Sequence, residues 1–148
     1  MCSRSLPGFL LALTLLLASP ISAEDFPGVD NADRARVNYM LNCQGCHGPD
    51  GAGTEDGVVP VMKNFVGHFL QTQAGREFLV RVPGSANAAL SHSELAEVLN
   101  WMLYEISAEQ IPADFQPCQA AEIATLREKP LADVDTLREQ LIEELGLD

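Results

Sequence analysis

Apolar residues along this chain recur at three- and four-residue steps, and no stretch of any length shows the strict alternation of a half-buried strand. The clearest run is Leu95, Val98, Leu99, Met102, Leu103 and Ile106, one stripe of an amphipathic helix. Ser91 and Glu94 stand just before it at capping-box spacing, so the helix is expected to start at Ser91. Val37, Met40 and Leu41 predict an earlier helix from Ala32 to Asn42, with Asp30 or Asn31 placed to cap it. Shorter helices are expected from Phe65 to Thr72 and from Arg76 to Val82, the latter ended by Pro83-Gly84. Past Ile111-Pro112, helical patterns cover Cys118 to Arg127 and Asp133 to Leu145, broken by Pro130, with Leu137, Leu141 and Leu145 marking the apolar face of the second. Val58 to Met62 reads as an extended apolar segment, and no repeat is present. The pattern as a whole is all-α.

The start of the chain breaks this pattern. Arg4 precedes a run of ten positions from Phe9 to Ala18 that is apolar but for Thr14, and Pro20-Ile21-Ser22-Ala23 follows. This is the layout of a secretory signal peptide, residues 1–23, cleaved after Ala23. The run is too short for a bilayer, which takes about twenty residues. Residues 24–111 are expected to form one domain and residues 112–148 a helical extension. Losing Arg4 with the leader takes the formal net charge from −12 to −13. So acidic a surface excludes nucleic acid and anionic lipid as natural partners and leaves the mature chain outside the membrane. It suits steering toward basic faces of other proteins.

Candidate chemistry concentrates in Cys43-Gln44-Gly45-Cys46-His47. Two thiols two residues apart, followed at once by an imidazole, read as a covalent attachment site for haem c. Each thiol can add to one haem vinyl group, and the next side chain, His47, then falls under the iron as its proximal ligand. A thioredoxin-type redox pair needs a βαβ pattern, and none is legible. A structural zinc site needs a second ligand pair, and only the scattered Cys118, His68 and His92 remain. The loop Gly48-Pro49-Asp50-Gly51-Ala52-Gly53-Thr54 lets backbone lie close to a macrocycle. No acid–base pair, serine nucleophile or phosphate loop argues for an enzyme. Cys118 reads as a small buried hydrophobe, with an intermolecular disulfide as the alternative.

From about Asn31 to Ile106 the chain resembles class I c-type cytochromes. That fold crosses an N-terminal helix over a C-terminal one, and the resemblance implies Ala35 and Tyr39 meeting Val98 and Trp101. It implies Pro60, thirteen residues past His47, as the carbonyl that takes the imidazole's second N–H. Met62, two further on, takes the place of an aliphatic residue packed on the proximal haem face. The extension has no counterpart in the minimal fold, so it either covers part of the haem domain or meets a partner.

The chain departs from the family at the sixth iron ligand. The family carries a methionine in the loop before the last helix, and here that loop reads Gly84-Ser85-Ala86-Asn87-Ala88-Ala89-Leu90. Met62, His68, Asn87 and His92 are the candidates, an empty or water-filled site is the remaining alternative, and Met102 is assigned to the core stripe. The implied function is periplasmic one-electron transfer between proteins. A haem protein with an open distal site that binds a small ligand is the alternative. A third reading is a subunit serving a periplasmic dehydrogenase, docked through its tail.

Overall fold

The computed structural model describes residues 26–147, and the leader expected at residues 1–23 lies outside them. The helices are α1 (Ala32–Asn42), α2 (Gln44–His47), α3 (Gln73–Arg81), α4 (Pro83–Ala86), α5 (His92–Ser107), α6 (Ala120–Arg127) and α7 (Val134–Leu145). Val66–Gln71 and Ala108–Gln110 are 3-10 turns. Among the described residues there is no strand, so the fold is all-α.

Local chemistry sets the helix starts. The Asn31 side chain accepts from the Arg34 amide at 2.8 Å, and Ser91 and Glu94 close the expected capping box. Thr72 caps α3 through the Gly75 amide, and Asp133 caps α7 through that of Thr136. Pro83-Gly84 does not simply end a helix. Pro83 opens the short turn α4, because proline at the first helical position gives up only an N–H that would have no partner there.

Helix α5 is the centre of the molecule. Its predicted stripe is buried, and so are Ala96, Glu97, Asn100, Trp101 and Ser107, because α1 crosses one face while α6 covers another. At the α1 crossing Ala35 is fully buried, and Tyr39 lies against Trp101 with ring centroids 5.5 Å apart. Tyr39 and Trp101 therefore meet as the resemblance implies, with Ala35 and Val98 buried in the same core. The hydrophobic pattern misassigned the other face of α1. Val37, Met40 and Leu41 are exposed, Leu41 by 77%. Small Ala35 permits the close approach to α5, and the residue four further on shares its face, so the stripe lies one side away from the three larger aliphatics.

Two buried polar side chains of α5 tie down distant backbone. Glu97 accepts from the Asp30 and Asn31 amides at 3.1 and 2.9 Å and from the Arg34 guanidinium at 2.7 and 2.8 Å. Burial works against its charge, but these donors outweigh it and hold its pKa below the ordinary glutamate value. Asn100 donates to the Gly28 and Cys118 carbonyls and accepts from the Cys118 amide at 2.8 Å. Gly28 has φ +78°, and a Cβ there would stand 2.5 Å from both the Asn100 amide and Pro117, so the junction needs glycine.

The segment after Pro112 packs into the same core. Ile123 and Leu141 are buried in it, and α6 lies on α5 and α3 while α7 lies on α3 and the Val66–Gln71 turn. Arg76 of α3 pairs with Glu122 of α6 at 2.6 and 2.7 Å and also donates to the Gln116 carbonyl. Arg127 donates to three carbonyls of the α4–α5 connection: Ala86 at 2.9 Å, Ala88 at 2.6 Å and Leu90 at 2.8 Å. Cys118 is a buried free thiol, pushed up to about 11 by that burial.

Candidate functional site

Helix α1 ends at Asn42, where Cys43 leaves helical geometry (φ −125°, ψ −43°), and α2 follows as a single turn. The Cys43 carbonyl accepts from the Cys46 and His47 amides at 3.2 and 3.1 Å, so both thiols and the imidazole share one turn. Tyr39 fastens that turn from below, its hydroxyl donating to the Gly48 carbonyl at 2.8 Å. Burial of the same phenol pushes it up to about 12, so it stays protonated as a donor. Cys43 is half-buried and Cys46 exposed. Burial, and then the nearby Cys46, push the Cys43 thiol up.

Beside this turn lies a cavity of about 250 Å³. Its walls are mainly apolar: Phe65, Val66 and Phe69, then Phe78 and Leu79 of α3 with Val82 just after it, then Leu95, Val98, Leu99 and Met102 of α5. Cys43 faces it from the junction between α1 and α2, His47 from α2, and Pro60 and Met62 from the segment after the glycine-rich loop. Of the residues expected to hold a cofactor, Cys43, His47, Pro60 and Met62 thus meet at one cavity, with Cys46 exposed on the same turn as His47.

These features fit haem c. The thiols stand ready for thioether bonds, and the apolar walls suit a flat, largely apolar macrocycle. His47 Nδ1 is buried without a hydrogen-bond partner, and burial lowers the imidazole pKa, so the ring is neutral and able to ligate a metal. Among the described residues no cluster of three histidines, cysteines or acids offers a separate metal site.

The contact implied between Pro60 and His47 is absent. The Gly53 amide donates to the His47 carbonyl at 3.1 Å and the Thr54 amide to that of Val59 at 3.0 Å.

The candidate sixth ligands separate clearly. Met62 lines the cavity, and so does Met102, which the pattern had assigned only to the core stripe. His68 is not among the lining residues; its Nδ1 lies 3.1 Å from the Gln71 amide nitrogen. Asn87 and His92 are exposed and also lie outside the lining. From α4 and its connection to α5 only Gly84, Ser85 and Ala88 reach the cavity.

Among the lining residues that the sequence did not single out, Val134, Asp135 and Arg138 come from α7 in the C-terminal extension. The capping Asp133 and the leucine stripe announced the helix, but nothing in its spacing told which cavity it would cover. The Arg127 clamp was equally silent, since carbonyl acceptors carry no side-chain signature.

Two curated proteins, both cytochromes c-552 from Thermus thermophilus, are similar to this chain. The first is 30% identical over an alignment of 162 positions, covering 97% of this chain and 98% of the relative. The second is 30% identical over 134 positions, covering 78% of this chain and 98% of the relative. No family model matches the chain. No solved structure matches it. No helix among the described residues is long and apolar enough to cross a membrane.

Proposed function

We propose, since the chain belongs to the c-type cytochromes, that it is an exported carrier of the class I type which passes single electrons between proteins. One haem c is held by Cys43 and Cys46, with His47 as proximal ligand. Bound there, the haem supplies a ferrous/ferric couple. The chain's own residues supply the rest. Cys43 and Cys46 fasten and orient the group, while His47 is kept neutral by burial. Phe65, Phe69, Leu95 and Leu99 exclude water, and Met62 adds a further apolar wall to the same cavity. The thiol-bearing turn stays at the surface with Cys46 exposed, which leaves a short route for an electron. The acidic surface is suited to partners with basic docking faces, a periplasmic dehydrogenase among them.

The observation that carries this reading is the placement of both thiols and an unpartnered buried imidazole nitrogen on one turn beside an apolar cavity. Optical spectra of the ferric and ferrous protein, with and without carbon monoxide, test it. An electron carrier gives low-spin spectra that carbon monoxide barely changes.

One observation favours a second reading, a protein that binds a small ligand at an open sixth position. Helix α4 and its connection to α5 bring only Gly84, Ser85 and Ala88 to the cavity, and none of these is a strong iron donor. Immediate carbon monoxide binding by the ferrous protein selects that reading.

A further inference from the structure

Helix α7 reaches the cavity at Val134, Asp135 and Arg138, and its seat is α3 and the Val66–Gln71 turn. Arg138 is the one arginine or lysine among the lining residues. Its guanidinium lies over the Phe65 ring, 5.4 Å from the centroid. The ion pairs among the described residues are Arg34–Glu97, Lys63–Asp50, Arg76–Glu122 and Arg81–Glu77, so no carboxylate of the described residues lies within pairing distance of Arg138. A half-buried arginine thus faces a mainly apolar cavity with an aromatic ring beneath it and no ion-pair partner among the described residues.

The chemistry of haem names the counter-charge. The macrocycle carries two propionates on the edge across from its two vinyl groups. Thioether bonds to Cys43 and Cys46 would hold the vinyl edge against α2, which turns the propionate edge toward the far end of the cavity. A carboxylate in an apolar setting needs a cation or several donors to stay ionised. We propose that α7 forms the floor of the haem site and that Arg138 is the ion-pair partner of a haem propionate, with Asp135 opposing it from the same helix. This rests on the haem reading above. It makes the C-terminal extension part of the cofactor site.

The signs of the consequences are fixed. A cation beside the group favours the ferrous state, which carries one positive charge fewer, and keeps the propionate ionised to lower pH. A carboxylate does the reverse on both counts. The test is a redox titration across pH on purified holoprotein, comparing the parent with Arg138→Gln, Arg138→Lys and Asp135→Asn. Above the propionate transition, Arg138→Gln lowers the potential, Arg138→Lys leaves it close to the parent value, and Asp135→Asn raises it. In Arg138→Gln the pH at which the potential steps moves up by about one unit. An unchanged potential and step in Arg138→Gln overturns the proposal. So does an Arg138→Lys protein that behaves like Arg138→Gln, because stacking on Phe65 and not charge would then be what matters. If Arg138→Gln fails to accumulate, the opposite shift in Asp135→Asn still supports the proposal, and no shift there overturns it. The spectrum of the parent separates the two layers: without covalent haem the underlying reading fails, whereas normal haem with silent variants defeats this inference alone.

Discussion

Arg127 offers the sharpest stability test, since one side chain from α6 holds three carbonyls of the connection that borders the cavity. Arg127→Met keeps the apolar stem and removes all three donors. Hydrogen bonds to a charged group contribute about 1.5–3 kcal/mol each when the partner cannot rehydrate. Ala86 is buried, so its carbonyl loses its partner outright, whereas Ala88 and Leu90 are half-buried and recover water in part. Arg127 is itself only half-buried, so each bond is taken at the lower end of that range; one full bond and two at about half strength then give a loss of about 3 kcal/mol. For a domain of this length 1 kcal/mol moves the midpoint by about 4 °C, so the variant is expected to melt about 12 °C lower. Thermal unfolding of the holoprotein followed by far-UV circular dichroism reads this directly. Arg127→Lys keeps the charge but cannot fork across three acceptors, and it should recover only about a third of the loss. A midpoint for Arg127→Met within about 2 °C of the parent, the range of an ordinary surface substitution, would refute the reasoning.

Trp101→Ala removes a buried ring from the α1–α5 crossing and should cost about 3–5 kcal/mol, seen as poor accumulation of holoprotein; near-native unfolding would place the crossing elsewhere. Met62→Leu preserves volume, so it should cost under about 1.5 kcal/mol and leave the spin state unchanged; a lost sulfur–iron charge-transfer band would instead make Met62 the sixth ligand. Glu97 has a depressed pKa in the fold, so it contributes stability above its unfolded value near 4.5 and loses it as pH falls below that; the acid limb of the stability curve should be shallower in Glu97→Gln, and identical acid limbs would contradict the Arg34 network. Electron transfer to a basic partner should slow steeply as salt rises to about 0.5 M and the Debye length drops well under 10 Å; a rate indifferent to salt would assign docking to an uncharged patch.

Much of the architecture was legible because it follows from periodicity and capping. The stripe from Leu95 to Ile106 and the Ser91–Glu94 box located α5 almost to the residue, and the Cys43–His47 spacing located the candidate site. The buried face of α1 was not legible from hydrophobicity, since Ala35 is a weak apolar signal beside Val37, Met40 and Leu41. What buries it is the close approach of a second helix, a tertiary effect that its resemblance to a known fold anticipated and its own pattern did not. Glu97 and Asn100 read as polar members of an amphipathic helix, yet both are buried as anchors for backbone more than fifteen residues away in sequence. The role of α7 was hidden for a related reason: Val134, Asp135 and Arg138 look like an ordinary helix start, and only the packing of α7 on α3 brings them to the cavity.

The central claim is that Cys43 and Cys46 bind haem covalently, and acid–acetone extraction of the exported protein tests it most directly. In the parent protein the haem colour should stay with the polypeptide, and its mass should exceed that of the mature chain by one haem. In the double variant Cys43→Ala/Cys46→Ala the chain should still be exported, and any haem should pass entirely into the acetone. Haem that resists extraction from the double variant, or an exported parent chain with no added mass, would contradict the account.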